Sequence, residues 1–168
     1  SDARFNAKAN VSYLHNELTN LGNDTGYIDL DTFQGLSGGG TRGSNGQPFP
    51  YFYGYKTAGV FQNMDEVKAY VNKDGNMIMP DAQPGDVRFV DVNGDGKINA
   101  DDRTNIGNGT PKWTFGFNLG AEWKGFDFNL FLQGVTGNKV FDATYRTDVY
   151  SGNFPSWMLS RWTGEGTS

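Results

Sequence analysis

Eleven consecutive residues limit what this chain can fold into more than any others. From Trp113 to Trp123 the sequence alternates without exception. Trp113, Phe115, Phe117, Leu119, Ala121 and Trp123 fall on one side; Thr114, Gly116, Asn118, Gly120 and Glu122 fall on the other. A strand turns successive side chains to opposite faces, so the stretch predicts a β-strand with one apolar and one polar face. Its two tryptophans share the apolar face. At about 3.3 Å per residue and a tilt near 40°, they stand roughly 25 Å apart along a barrel axis. That matches the apolar band of an outer-membrane barrel, which aromatic girdles bound on both sides. A sandwich strand in water would alternate too, but would have no reason to set tryptophans at that spacing.

The neighbouring sequence extends the pattern. Lys124-Gly125 reads as a two-residue hairpin turn. Phe126, Phe128, Leu130 and Leu132 then alternate with polar residues, with Phe131 the one violation. Residues 113–134 therefore predict a hairpin whose apolar faces lie on the same side. Phe5 to Tyr13 alternates as well, with Phe5, Ala7, Ala9, Val11 and Tyr13 against Asn6, Lys8, Asn10 and Ser12. Residues 5–13 are then a third strand, antiparallel to 113–123. Tyr13 and Phe126 join Trp113 and Trp123 as girdle residues at the strand ends. Barrels keep short turns in the periplasm and long loops outside. That rule puts residues 14–112 outside the cell as one extracellular loop, with residues 135–168 forming another. The fold expected is all-β: about three strands of a transmembrane antiparallel β-barrel.

The long loop carries its own signals. Residues 16–62 read as loop, broken by Gly38-Gly39-Gly40 and Gly43-Ser44-Asn45-Gly46. Within it Phe49, Tyr51, Phe52, Tyr53 and Tyr55 cluster. Tyr51, Tyr53 and Tyr55 are candidate ligand contacts by stacking on sugar rings, and loop packing is the competing reading. Asn63 to Val71 predicts a short helix, capped by Asn63 with Glu66 reaching back. Pro155 to Trp162 predicts another, with Pro155 in its first turn.

Asp91 to Asp102 fits a twelve-position calcium loop. Asp91, Asn93 and Asp95 stand at positions 1, 3 and 5, and Gly96 at the sharp turn of position 6. Lys97 offers its carbonyl at 7, Asn99 sits at 9 and Asp102 closes at 12. A hard cation takes six to eight oxygens, which alternate residues of a tight loop supply. Position 12 is Asp rather than Glu, one methylene shorter. The same Asx-rich turn also forms without metal, by side chains bonding their own backbone. No helix is predicted after the loop, so a true EF-hand is not expected.

Composition removes other functions. The formal net charge of −5 arises within residues 65–102, where nine acids face four bases. There is no basic patch, so nucleic acid is not a partner. Cysteine is absent, which removes disulfides, thiol catalysis and zinc–thiolate sites. His15 is the lone histidine and no nucleophile motif accompanies it. A hydrolase using Asp101 or Asp102 is the weakest reading, because acids at such a loop serve better as ligands; no catalytic residue is expected. No run of 18 apolar residues occurs, which excludes a transmembrane helix and leaves a barrel open. No signal peptide opens the chain, and both ends read as cuts.

Several motifs in order resemble one family. They are Tyr53-Gly-Tyr-Lys-Thr-Ala-Gly-Val-Phe61, Pro84-Gly-Asp-Val-Arg-Phe-Val-Asp-Val-Asn-Gly-Asp-Gly-Lys-Ile98, Asp101-Asp-Arg103, Ile106-Gly-Asn108 and Pro111-Lys-Trp-Thr-Phe-Gly-Phe-Asn118. Lys124-Gly-Phe-Asp-Phe128 and Arg161-Trp-Thr-Gly-Glu-Gly166 continue the series. Together they resemble the C-terminal part of SusC/RagA-type TonB-linked outer-membrane transporters. The resemblance covers most of residues 47–168, while residues 1–46 agree only in pattern. It implies a plugged 22-stranded barrel in the outer membrane of Bacteroidota, driven by the TonB complex. It also implies a SusD-like lipoprotein partner and import of oligosaccharides or peptides. Neither the plug domain nor the final strands are in this chain. Calcium would then be structural. The alternative is a soluble, calcium-dependent, dockerin-like binding or adhesion module, which requires a helix after the loop.

Overall fold

The computed structural model describes residues 3–30, 40–142 and 153–167. In chain order the elements are β1 (Arg4–Tyr13), β2 (Tyr27–Asp29), β3 (Thr41–Ser44), β4 (Tyr51–Tyr55), β5 (Thr57–Val60), α1 (Met64–Ala69), β6 (Val87–Phe89), β7 (Arg103–Gly107), β8 (Trp113–Trp123) and β9 (Phe126–Thr136). Two short 3-10 turns, Ala100–Asp102 and Ser156–Ser160, complete them. The chain divides into two units. One comprises Ser1–Asp29, Arg42–Tyr51 and Gly107–Asp142; the other comprises Leu30–Thr41, Phe52–Ile106 and Ala143–Ser168.

The first unit is built on a three-stranded antiparallel sheet of order β1-β8-β9. Its register is unbroken, with Arg4 opposite Glu122 through to Tyr13 opposite Trp113. On the other side of β8, Trp113 faces Thr136 and Trp123 faces Phe126. Rows of like character result. One face stacks Phe5–Ala121–Phe128, Ala7–Leu119–Leu130 and Ala9–Phe117–Leu132. The opposite face stacks Asn6–Gly120–Asn129 and Asn10–Gly116–Gln133. The two β8 glycines on this polar face are buried. A Cβ at Gly116 would meet the Asn10 carboxamide at 2.9 Å, and one at Gly120 would collide with Asn6. On the apolar face, the Phe115 ring lies where a Gly134 side chain would be, so a ring covers the gap beside a strand glycine. The hairpin turn is Lys124-Gly125, both with positive φ (47° and 86°), as a two-residue turn of this hand requires. The β9 strand runs to Thr136, two residues past the expected end of the hairpin. Elsewhere in this unit β2 and β3 pair antiparallel, and Arg42 clasps Asp29 through two N–H···O contacts of 2.6 and 3.0 Å.

The second unit holds the buried cluster of Phe61, Val67 and Ala82, with Tyr70 and Met79 packed against it. The short helix α1 docks here through Val67. Six residues are too few for a free helix, so burial and caps hold it. Asn63 accepts from the Glu66 N–H at 2.9 Å. The Glu66 carboxylate reaches back one residue further than expected, to the Gln62 N–H. The helix ends at Ala69 rather than Val71, because Tyr70 leaves helical dihedrals and Val71 bridges Met77 around the Asp74-Gly75 turn.

The segment of residues 14–112 is more regular than its loop reading expects. It contains six strands of three to five residues each. Segments that short show too few alternating positions to stand out, and β3 (Thr-Arg-Gly-Ser) has no apolar residue at all. The expected helix at 155–162 is a 3-10 turn, Ser156–Ser160, with Pro155 just before it. Gly38-Gly39 and much of the expected outer loop (143–152 and 168) lie outside the described residues.

Candidate functional site

The Asp91–Asp102 segment closes on itself through its own side chains. Asp91 accepts from the Gly94 N–H (2.7 Å) and the Gly96 N–H (2.8 Å), one on each carboxylate oxygen. Asn93 accepts from Asp95 (2.9 Å), and Asp95 accepts from the Lys97 N–H (2.9 Å). Gly94 and Gly96 both take positive φ, 76° and 83°. At Gly96 the Asn72 side chain occupies the space of a Cβ, so position 6 excludes a side chain on two counts. Asn99 is spent as a cap, accepting from the Asp101 N–H at 2.7 Å.

Asp102 ties the two ends of the segment together. Its side chain is fully buried. One oxygen accepts from the Val92 N–H at 2.8 Å and the other from the Asn99 N–H at 2.8 Å. These bonds, the one from Asn99 foremost, hold its carboxyl below the usual carboxylate range against the opposing effect of burial. The Val92 N–H, next along the chain from Asp91, thereby reaches the residue that ends the segment. The two ends of the segment thus meet.

The donor types fit a hard cation, and the Val92 N–H bond to Asp102 draws the two ends of the segment toward each other. Asp95 points elsewhere: its second oxygen accepts from the Asn93 and Asn99 amides at 3.3 and 2.9 Å. Among the described residues no three His, Cys, Asp or Glu side chains converge as a metal-holding group. After Asp102 the chain enters β7 rather than a helix, which removes the requirement of a dockerin-like module. Sequence reasoning missed two supports, Tyr70 and Asn72. The Tyr70 hydroxyl donates to the Phe89 carbonyl at 2.7 Å and accepts from the Asp91 N–H at 3.4 Å. Asn72 orders the adjoining turn by accepting from Asp74 and Asn76. Only the Asx character of the Asn72–Gly75 turn could have drawn attention to either.

The expected girdle residues sit at the two ends of one sheet. The Tyr13 and Trp113 rings pack at 4.7 Å at one end, and Trp123 stands opposite Phe126 at the other. Between them the apolar face is open: Phe5 is 81% and Phe126 77% exposed, and Phe115 and Leu119 are also exposed. An alternating sheet folded in water would bury this face. Here the buried cluster lies wholly outside the sheet.

The three tyrosines of β4 do not form one platform. Tyr51 is buried, its hydroxyl 2.8 Å from the Ser44 hydroxyl, so it presents no face to a ligand. Tyr55 packs against Phe89 at 5.5 Å and under the Arg103 guanidinium at 5.3 Å. Tyr53 is half-buried beside them in sequence. Packing is what the cluster visibly does.

No protein-family model matches the chain. Curated proteins do. TonB-dependent receptor P26 of Formosa agariphila is 31% identical across 96% of the chain. TonB-dependent receptor P3 of the same organism is 34% identical across 73% of it, and P39 is 29% identical across 79%. The chain is homologous to TonB-dependent receptors. It spans 16%, 12% and 15% of the length of these relatives, about a sixth or less of each. Homology to such receptors agrees with a mostly β chain of antiparallel sheets. No helix among the described residues is long and apolar enough to cross a membrane.

Proposed function

We propose that this chain is a segment of a SusC/RagA-type TonB-dependent receptor of the outer membrane. It contributes β1, β8 and β9 to the barrel wall and most of residues 14–112 to the extracellular surface. The observation that carries the reading is the β1-β8-β9 sheet. Its apolar face is exposed and bounded by aromatic residues at both ends, and its polar face is lined with Asn and Gly. In lipid this face is satisfied; in water it would drive aggregation. Strands β1 and β9 are the edges of this sheet. An open edge is not tolerated in hydrocarbon, so further strands of the same receptor pair with them. In this reading the receptor imports an oligosaccharide or a peptide, with a SusD-like lipoprotein on its outer face and the TonB complex supplying energy through other parts of the protein. This segment binds and positions, and carries no catalytic group. Extraction of the full-length receptor tests the assignment. It should stay with the outer membrane through salt washes and leave only with detergent, bringing a surface lipoprotein with it. Release by salt alone would overturn it.

Calcium at Asp91–Asp102 is part of this proposal. Asp91, Asn93, Asp95, Asp102, the Lys97 carbonyl and Asn99, directly or through water, would hold the ion, with the Asn–Asp95 amide contacts giving way to it. Bound calcium neutralises the acidic segment and holds its folded form. Removing calcium from the receptor with a chelator is expected to speed amide hydrogen exchange in residues 91–102 about tenfold or more, since binding at ten times the dissociation constant contributes about that factor. Restored calcium should reverse the change, while magnesium should do so poorly. An exchange pattern indifferent to calcium would leave the loop as a metal-free Asx turn.

A further inference from the structure

After α1 the chain reverses in a tight turn over residues 70–78, and two side chains of that turn touch other parts of the same compact unit. The turn is fixed by its own bonds. The Asn72 N–H donates to the Asn76 carbonyl at 2.8 Å, and the Ile78 N–H to the Tyr70 carbonyl at 3.0 Å. The Asn72 side chain accepts from the Asp74 and Asn76 N–H groups at 3.0 Å each. On one side the Tyr70 ring packs against Phe61 of the buried cluster, with 5.9 Å between centroids. On the other its hydroxyl donates to the Phe89 carbonyl at 2.7 Å and accepts from the Asp91 N–H at a longer 3.4 Å. Asn72 makes a second contact, its side chain standing where a Cβ on Gly96 would be. Both contacts bear on Asp91, because the Gly96 N–H is itself held by the Asp91 carboxylate at 2.8 Å. Tyr70 therefore spans from the apolar cluster to the first position of the acidic segment. Ordering an Asx-rich loop costs conformational entropy, and a fixed contact from outside leaves it fewer open states.

We propose that Tyr70 is a positioning residue that couples the Asp91–Asp102 segment to α1 and the Phe61–Val67–Ala82 cluster, so that the two open and close as one cooperative unit. Asn72 supports it by seating Gly96. The coupling itself needs no ion. Its regulatory use does, and that part rests on the calcium reading given above. An ion held by the segment then also steadies α1, and whatever steadies α1 tightens the ion in return.

The test is a double-mutant cycle on the full-length receptor in detergent, read by amide hydrogen exchange with chelator present. Asp102→Ala opens the segment from its far end, and Asp102→Asn replaces it if the alanine variant does not assemble. In the otherwise wild-type protein this change should speed exchange several-fold at Val67, Tyr70 and Ile78 as well as within residues 91–102. Tyr70→Phe keeps the ring on Phe61 and removes only the hydroxyl. It should speed exchange within the segment about fivefold, the scale of one hydrogen bond. In the Tyr70→Phe background the Asp102 change should no longer reach Val67, a loss of coupling that mere local weakening would not produce. Unchanged exchange at Val67 in the single Asp102 variant, or coupling that survives Tyr70→Phe, would overturn the proposal. The same proteins are then given calcium. It should slow exchange at Val67 in the wild-type protein and only within residues 91–102 in Tyr70→Phe. Coupling without any response to calcium would overturn the calcium reading and leave Tyr70 in its role; a calcium response without coupling would do the reverse.

Discussion

Replacing Asp102 by alanine is expected to cost the Asp91–Asp102 segment about 3 kcal/mol of local stability, the scale of losing two hydrogen bonds to a charged group. Asp102 is fully buried, and its carboxylate holds the N–H groups of Val92 and Asn99 at 2.8 Å each. Hydrogen exchange of the full-length receptor reads the effect directly. The Val92 and Asn99 amides should exchange about a hundredfold faster, since 1.4 kcal/mol corresponds to a factor of ten. The amides of β8 should be unaffected. Asp102→Asn keeps the volume but only one acceptor oxygen, and should fall between. Measurement with chelator present separates this backbone role from metal binding, because the hydrogen bonds remain when the ion is gone. The pH dependence has a defined sign. The folded carboxyl titrates below its ordinary value of 3.8, so its stabilisation is fully present above that value and is lost as pH falls through the depressed one. Protection at Val92 should be flat from neutrality down to about pH 4 and fall below it.

The second large effect is expected at Leu119. It stands mid-strand on the apolar face, in a row with Ala7 and Leu130. An arginine at the middle of a lipid-facing strand costs about 2–4 kcal/mol. Asn118 lies one residue away on the opposite face, where it donates to Asn129 at 2.9 Å. Asn118→Arg loses one exposed hydrogen bond and puts a charge where polar residues already stand. Leu119→Arg should therefore lower the denaturant midpoint for refolding into vesicles, or stop assembly, while Asn118→Arg changes it little. Position, not the substituted residue, sets the difference. Equal effects would mean that both faces meet the same solvent.

What could be read from the sequence follows the length of each pattern. Trp113–Trp123 carries eleven alternating residues, and the strand has those bounds. Phe5–Tyr13 is joined by Arg4, a polar residue where the alternation calls for one. Phe131 breaks the pattern of β9 yet the strand continues through it, because pairing along eleven rows outweighs one misplaced ring. The short strands β2 to β7 were hidden for the opposite reason. Three to five residues give no period to detect, and their pairing is fixed by partners distant in sequence. The Asx bonds around Asp91 were legible, since side chain and backbone lie within five residues of each other. Burial of Asp102, the Tyr70 hydroxyl at Asp91 and the Asn72 side chain at Gly96 were not, because each depends on how separate segments pack. The tyrosines illustrate the same limit: the sequence shows Tyr51, Tyr53 and Tyr55 as an aromatic cluster, but only packing shows that Tyr51 is buried.

The membrane-spanning sheet is the central claim, and the absence of cysteine from this chain makes it directly measurable. Single cysteines are placed in turn at positions 114 to 122 of the full-length receptor, in a background cleared of any others. Each is treated in vesicles with a water-soluble thiol reagent and, separately, with a lipid-soluble one. The sheet predicts a two-residue period. Positions 114, 118 and 122 should react from water, and positions 115, 117, 119 and 121 should react only from lipid. Labelling from water at every exposed position, without that alternation, would contradict it.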